Sequence, residues 1–318
     1  MKHLTIREAA SYLLQNDNYT ILTHRRPDGD TVGCAIALCR GLRKLGKTAS
    51  IYRNPQFTPR YLPYLEGLTT EAVQDTVVSV DIASDGLFPN GFNGSVELLI
   101  DHHGSNNGFA AAGYVEADRA SCGEILLDLL QNMGVEIDPD IANALYIAIS
   151  TDTGCFRYSN TTAGTLRSAA VLMECGADTV SLNRMLFEIK TQARFRLEAF
   201  LTEGMQLYAD GKIGICTLPE AEKIRMGVTE DDADSISGYA RDLEGVLIGA
   251  LLRDLPGGQS KISLRTDNRV YNASEICKVL GGGGHSAAAG ATVNGSLEDC
   301  RKALLDAIAQ ITGLQVEA

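Results

Sequence analysis

The sequence predicts an α/β protein with a largely parallel sheet carrying helices on both faces, followed by a smaller α+β C-terminal domain. Three observations predict it. Short apolar, β-branched runs at 19–23, 48–52, 76–81 and 96–101 mostly end in charged or ligand-type residues. Segments with helical periodicity separate them, and from about residue 210 the texture changes to closely spaced strands. In such a sheet a strand that ends in His or Asp delivers that side chain to the carboxyl edge, where ligands bind.

In chain order, 6–15 reads as an amphipathic helix, 19–23 as the opening strand, 35–45 as the helix after it and 48–52 as a second strand. Pro55, Pro59 and Pro63 make 53–68 irregular. Strand 76–81 ends at Asp81, and strand 96–101 runs into Asp101-His102-His103-Gly104. Helices follow at 121–133, opened by Ser121 with Glu124 at capping-box spacing, at 141–150, at 165–175 and at 181–208. In the second part, 212–218, 246–253 and 261–266 read as strands of a mostly antiparallel sheet. A helix at 273–280 ends at Gly281, and 297–311 is a closing helix. The expected boundaries are a first domain over 1–190, a connecting helix over 191–209 and a second domain over 210–318.

At 318 residues the chain is long enough for two ordinary domains, and 45% hydrophobic content is that of globular material. No apolar run is long enough to span a bilayer and the first residues lack a signal-peptide core, so the expected location is cytoplasmic, with no membrane partner. The eight cysteines show no C-x-x-C spacing and read as reduced, mostly buried small hydrophobes. A formal charge of −12 argues against a protein that tracks long duplex nucleic acid, which needs a basic face. A short anionic substrate needs only bound metal and a few Arg and His.

The loop after the first strand carries His24, Asp28 and Asp30, spaced H-x3-D-x-D, with Pro27 and Gly29 shaping the turn. As a plain turn it needs one N-cap, for which Asp30 is the candidate. Taken with Asp81, Asp101, His102, His103 and Asp152, it puts at least four carboxylates at one edge. Like charges at short range cannot all stay ionised unless cations sit between them, and two divalent ions would neutralise four aspartates. Mixed imidazole and carboxylate ligation suits Mn²⁺, and also Zn²⁺, Fe²⁺ or Co²⁺, more than a pure Ca²⁺ or Mg²⁺ site. A metal pair serves in-line attack on phosphorus. Of the five histidines, only His3 lies outside these motifs and the 281–285 loop.

Gly281 to Gly284 removes side chains from four successive positions, so that backbone N–H groups can approach an anion. His285 adds an imidazole and Arg265 a guanidinium suited to phosphate. The plain alternative is a helix C-cap, which needs one glycine rather than four. Arg157, close behind Asp152, is either a further phosphate ligand or a surface arginine.

These motifs, namely His24-x3-Asp28-x-Asp30, the strand-end Asp81, Asp101-His102-His103, Asp152 in Thr-Asp-Thr-Gly, and Gly281-Gly282-Gly283-Gly284-His285, resemble the series of the DHH phosphoesterase superfamily, in order and over nearly the whole chain. Within it the chain resembles the branch of the nanoRNase/pAp phosphatases and the smaller relatives of the RecJ exonuclease. The resemblance implies a DHH domain and its associated C-terminal domain, with the active site in the cleft between them. It implies one metal held by His24, Asp28 and Asp81 and a second by Asp30, Asp81, His102 and Asp152, with Asp81 bridging. Asp101 then orients a histidine or serves only as a strand-end hydrogen-bond acceptor, and His103 binds the scissile phosphate or protonates the departing oxygen. Asp81, Asp101 and His103 thus make the catalytic set. Gly282, Gly283, Gly284 and His285, with Arg265 and Arg157, would grip the distal nucleotide or terminal phosphate.

The implied substrates are short oligoribonucleotides and 3′-phosphoadenosine 5′-phosphate (pAp). The implied cofactors are two divalent ions, foremost Mn²⁺, and a homodimer is compatible. A cyclic-dinucleotide or linear-dinucleotide phosphodiesterase uses the same motifs. A pyrophosphatase of the superfamily is expected to present a basic cluster where this chain has the glycine loop, and an inactive nucleotide sensor to have lost a metal ligand. Two positions depart from the family pattern: Cys34 stands where Ser is frequent, and Ser286 where Lys or Pro is frequent.

Overall fold

The first of two units, Met1–Ile189, is built on a seven-stranded parallel sheet in the computed structural model, which describes residues 1–229, 232–233 and 236–316. Its elements are β1 (Lys2–His3), α1 (Ile6–Gln15), β2 (Tyr19–Leu22), α2 (Gly29–Lys44), β3 (Ala49–Tyr52), α3 (Leu62–Leu65), β4 (Thr69–Thr70), β5 (Thr76–Val80), β6 (Leu98–Asp101), β7 (Ala112–Val115), α4 (Cys122–Asn132), α5 (Pro139–Asp152), α6 (Ala163–Glu174) and α7 (Thr179–Asn183). The strand order is β1-β7-β6-β5-β2-β3-β4. β2, β5 and β6 bury every residue, which is why they read as continuous apolar runs rather than alternating ones. The chain leaves β2 for β3 on one side and later returns to β5 on the other, so the order reverses between β2 and β5. The crevice at their carboxyl ends is where an open α/β sheet takes its ligand.

α2 begins at Gly29 rather than at 35 because Asp28, not Asp30, is its N-cap: the Asp28 carboxylate accepts the amides of Asp30 and Thr31 at 3.1 and 3.2 Å. Asp30 sits in the first helical turn and points inward. α2 then packs on α5 backbone to backbone. A Cβ on Gly33 would lie 2.2 Å from the Ala144 carbonyl oxygen, and one on Gly29 would lie 2.3 Å from Thr151 Oγ1. This contact sets the first turn of α2 beside the last turn of α5, which reaches Asp152, so Asp152 is a helix residue and not a loop one. Gly33→Ala is expected to cost about 1–3 kcal/mol of stability by overpacking and to weaken cation binding, because it pushes Asp30 away from Asp152. Thermal unfolding and calorimetry with Mn²⁺ check the two effects.

The capping box expected at Ser121 and Glu124 does not form. Ser121 Oγ has no hydrogen-bond partner, and Glu124 turns to the Ala120 amide at 3.1 Å and the Thr165 hydroxyl at 2.9 Å. The open amides of Cys122 and Gly123 are taken instead by Asp30, at 2.8 and 3.0 Å. A carboxylate from another helix thus satisfies the orphan donors of α4.

The long helix expected over 181–208 is interrupted. A π-helical turn at Arg184–Glu188 ends in extended backbone at Ile189, and Thr191 caps a new helix, α8 (Gln192–Glu203). The second unit, Lys190–Ala318, continues with β8 (Gln206–Tyr208), β9 (Ile213–Leu218), α9 (Glu220–Met226), β10 (Ile248–Leu255), β11 (Gln259–Thr266), α10 (Ala273–Val279), β12 (Gly283–Gly284), β13 (Ala288–Asn294) and α11 (Leu297–Thr312). Its sheet, ordered β12-β13-β11-β10-β9-β8, is antiparallel except for the β9–β10 pair. α10 and α11 bury Ile276, Cys277, Leu304 and Ile308 against one face of it. Leu197 and Leu201 of α8 and Met226 of α9 pack on the other, against Cys216, Leu218 and Leu251. Among the described residues no helix is long and apolar enough to cross a membrane.

Candidate metal centre

The carboxyl ends of the central strands gather the predicted ligands. His24 follows β2, Asp28 and Asp30 open α2, Asp81 follows β5, His102 and His103 follow β6, and Asp152 closes α5. His24 Nε2 lies 3.4 Å from Asp28 Oδ1 and 3.9 Å from Asp81 Oδ2. His102 Nε2 lies 3.5 Å from Asp81 Oδ1, 3.8 Å from Asp30 Oδ2 and 3.6 Å from Asp152 Oδ2. His24, Asp28 and Asp81 form one group whose donor atoms all lie within 4.8 Å of one another, and Asp30, His102 and Asp152 form a second. Asp81 turns one oxygen toward each group. His103 makes a third, overlapping group with Asp81 and His102.

Asp81 is the most constrained member. Its φ of +57° is left-handed, a conformation that Asp tolerates better than most residues but that still costs about 1 kcal/mol. Its side chain is 3% exposed, and Oδ1 has no hydrogen-bond partner. An ionised oxygen buried in this state costs about 1–3 kcal/mol or more. Burial pushes Asp81 well above the usual carboxylate range, and the charges of Asp28, Asp101 and Asp152 add to it. Burial does the same to Asp30, with Asp81 and Asp152 adding, and it also raises Asp152. Burial opposes the charged form of His102, yet the carboxylates of Asp30 and Asp152 outweigh it and raise that imidazole. The donor set fits two divalent cations, which would offset the mutual repulsion of these carboxylates and give the unpartnered Asp81 oxygen a counter-charge.

The histidines are held from behind. His102 Nδ1 lies 3.1 Å from the Arg119 carbonyl oxygen, which leaves Nε2 facing the carboxylates. His103 Nδ1 lies 2.7 Å from Asp101 Oδ1. Burial alone would raise Asp101, but the hydrogen bonds and charge of His103, with the Asn106 amide at 2.6 Å, hold it below its ordinary value. Asn54 Nδ2, just past β3, donates to the His24 carbonyl at 2.9 Å, and the Thr31 hydroxyl of α2 donates to the Val80 carbonyl at 3.0 Å, tying the end of β2 to that of β3 and α2 to the end of β5. The sequence carries almost no sign of these supports. Asn54 and Arg119 lie far along the chain from the histidines they hold, and Asn106 reads as part of an Asn-Asn-Gly turn.

Arg157 follows a turn in which Gly154, Cys155 and Phe156 have φ of +55°, +58° and +62°, and its Nε donates back to the Gly154 carbonyl at 2.7 Å. In the second unit, Arg265 on β11 donates to Ser237 Oγ and to the Leu264 carbonyl, both at 2.9 Å. The expectation of four successive amides open to an anion is corrected. The Gly281 and Gly282 amides donate to the Lys278 and Cys277 carbonyls, at 3.1 and 2.8 Å, because the end of α10 leaves those carbonyls unpaired. Gly283 and Gly284 pair with Gly290 and Ala289 of β13. Gly282 and Gly284 are required by close approach to this strand, since a Cβ on either would meet backbone atoms of β13 within 2.2–2.7 Å. At Gly283 a Cβ would meet nothing within 4 Å, so nothing in the chain itself asks for glycine there. His285 is exposed beside it.

Residues 18–149 match the N-terminal domain of the DHH family, and residues 215–313 match the DHHA1 domain. The bifunctional oligoribonuclease and PAP phosphatase NrnA of Thermus thermophilus is 33% identical over 91% of this chain and 88% of its own length. The chain belongs to the DHH family. The protein of the same name from Bacillus subtilis is 25% identical, over 86% of this chain and 89% of its own. The crystal structure of an exopolyphosphatase-related protein from Bacteroides fragilis has the same fold, with a TM-score of 0.83 at 20% identity and 97% of each chain covered. The DHH match holds all the clustered candidate ligands except Asp152, which lies just beyond it on α5. The glycine loop falls inside the DHHA1 match.

Proposed function

We propose that this chain is a divalent-metal phosphoesterase that hydrolyses short oligoribonucleotides to mononucleotides and pAp to AMP. The observation that carries this reading is the pair of donor groups that share Asp81, one oxygen toward each. Relatives that span most of the chain and bear those two activities in their names support the choice of substrate. The mixture of imidazole and carboxylate donors favours Mn²⁺, and a net charge of −12 suits a substrate of a few nucleotides rather than a long duplex. A cytoplasmic location belongs to the same reading.

Held by His24, Asp28 and Asp81, and by Asp30, Asp81, His102 and Asp152, two cations would supply positive charge to phosphoryl oxygens and activate the attacking water. Asp81 sets the spacing of the two groups. His103 has Nδ1 committed to Asp101, so Nε2 is the ring atom free to meet a phosphate oxygen or to hand a proton to the departing one. At 41% side-chain exposure against 13% for His102, it is the accessible member of the pair. In the DHHA1 unit, the bare backbone at Gly283 lets a ligand come close, and His285 and Arg265 would hold a further nucleotide of a short RNA.

His285→Ala and Arg265→Ala are each expected to raise KM for short RNA by about tenfold, the worth of one charge-assisted hydrogen bond, with little change in kcat. Steady-state kinetics check this, and a fall in kcat at constant KM would remove the binding role. For the proposed function itself, metal-stripped protein reloaded with Mn²⁺ should turn over both pAp and RNA of two to five nucleotides. Hydrolysis of a cyclic dinucleotide alone, or nucleotide binding without turnover in any metal, overturns it.

A further inference from the structure

The metal cluster opens into a cavity of about 460 Å³ inside the first unit, and only part of its wall is made by candidate ligands. The rest is Arg25, Arg26, Ala83 and Leu87. This volume lies in the range of small-molecule sites, about 300–1,000 Å³, and exceeds what a lone phosphate fills.

Arg25 and Arg26 follow the ligand His24 directly, and both are exposed. Among the described residues, the ion pairs made by Asp28, Asp81 and Asp152 run to histidines, not to these two guanidiniums. Leu87 is 40% exposed, yet the turn that carries it is fixed. The Arg25 amide donates to the Leu87 carbonyl at 2.7 Å, the Leu87 amide to the Ser84 carbonyl at 3.0 Å, and the Asn107 amide to the Ala83 carbonyl at 3.1 Å. Arg25 and Leu87 therefore belong to one wall, joined backbone to backbone. It offers two cationic forks, which match phosphate oxygens in pairs, next to apolar surface that suits a base or ribose.

We infer that this wall seats the nucleoside and the second, uncut phosphate of the substrate, so that one whole nucleotide is gripped within the first unit. The inference rests on the phosphoesterase reading above and adds the groups that recognise the substrate beside the metals.

The test is the dissociation constant of pAp against that of adenosine 3′-phosphate, which lacks the 5′-phosphate, measured by calorimetry on the full chain loaded with Ca²⁺. Wild-type protein should prefer pAp, and the double variant R25A/R26A should lower that preference by about tenfold. Leu87→Ala should narrow the gap between either nucleotide and inorganic phosphate. An unchanged preference in R25A/R26A, with melting temperature and Ca²⁺ affinity at wild-type level, overturns the assignment. So does an equal loss of both nucleotides, because the arginines would then act on the scissile phosphate. If R25A/R26A does not fold, Arg25→Gln with Arg26→Gln carries the same comparison. A wild-type preference for pAp without turnover in any metal would support the seat while removing the proposed function.

Discussion

Asp81→Asn is expected to abolish turnover of every phosphoester substrate while leaving the fold intact. Asn fits the left-handed backbone at this position about as well as Asp, and it fills the same volume between β5 and the two histidines. What it lacks is charge, and both donor groups lose their shared member at once. The loss should exceed the roughly 10–100-fold that follows removal of a group standing behind a metal ligand. Calorimetry should show fewer than two Mn²⁺ ions bound per chain, with a wild-type circular dichroism spectrum. Wild-type activity in this variant would remove the mechanism, whatever its metal content.

The same geometry explains what could be read from the sequence. His24, Asp81 and Asp101 stood out because β2, β5 and β6 are buried on both faces, so each apolar run stops abruptly at a residue that can hold a cation. Relations between elements left no such trace. Gly33 looks like any helical glycine until Ala144 is seen against it. Asp30 reads as a local cap, although it serves the amides of a helix about ninety residues away. Four glycines in a row suggested an open anion cradle. Instead Gly281 supplies a left-handed helix end (φ +74°), and Gly282 and Gly284 allow a tight strand pair, which leaves Gly283 as the position whose small size serves nothing inside the chain. Local capping and strand pairing compete with ligand binding for the same amides, and composition alone does not rank them.

Removal of divalent cations is expected to make stability fall as pH rises from the acid side to neutrality, and Mn²⁺ to reverse this. Asp30, Asp81 and Asp152 are raised in the folded chain above their ordinary value of about 4. Their contribution to stability is full below that value and is lost as pH climbs through the folded pKa, where each must ionise beside the others. His102, also raised, acts in the same sense at higher pH. Asp28 and Asp101 work the other way. Burial pushes both up, but hydrogen bonds from His24 and from His103 hold them low, so their contribution is present above about pH 4 and lost below it. Above the ordinary carboxylate value the raised groups dominate the slope, since the lowered ones are already ionised. A cation at a hundred times its dissociation constant adds about 2.7 kcal/mol per site, and this gain grows with pH because ligands must be deprotonated. At about 2–4 °C per kcal/mol for a unit of this size, the melting temperature in Mn²⁺ should exceed that in chelator by several degrees at pH 8, and by clearly less at pH 5. Metal-free Asp81→Asn should then lose stability less steeply with rising pH than metal-free wild type, because one of the raised carboxylates is gone, and gain less from Mn²⁺. A chelator effect that is absent, or equal at both pH values, would mean that these carboxylates do not share cations.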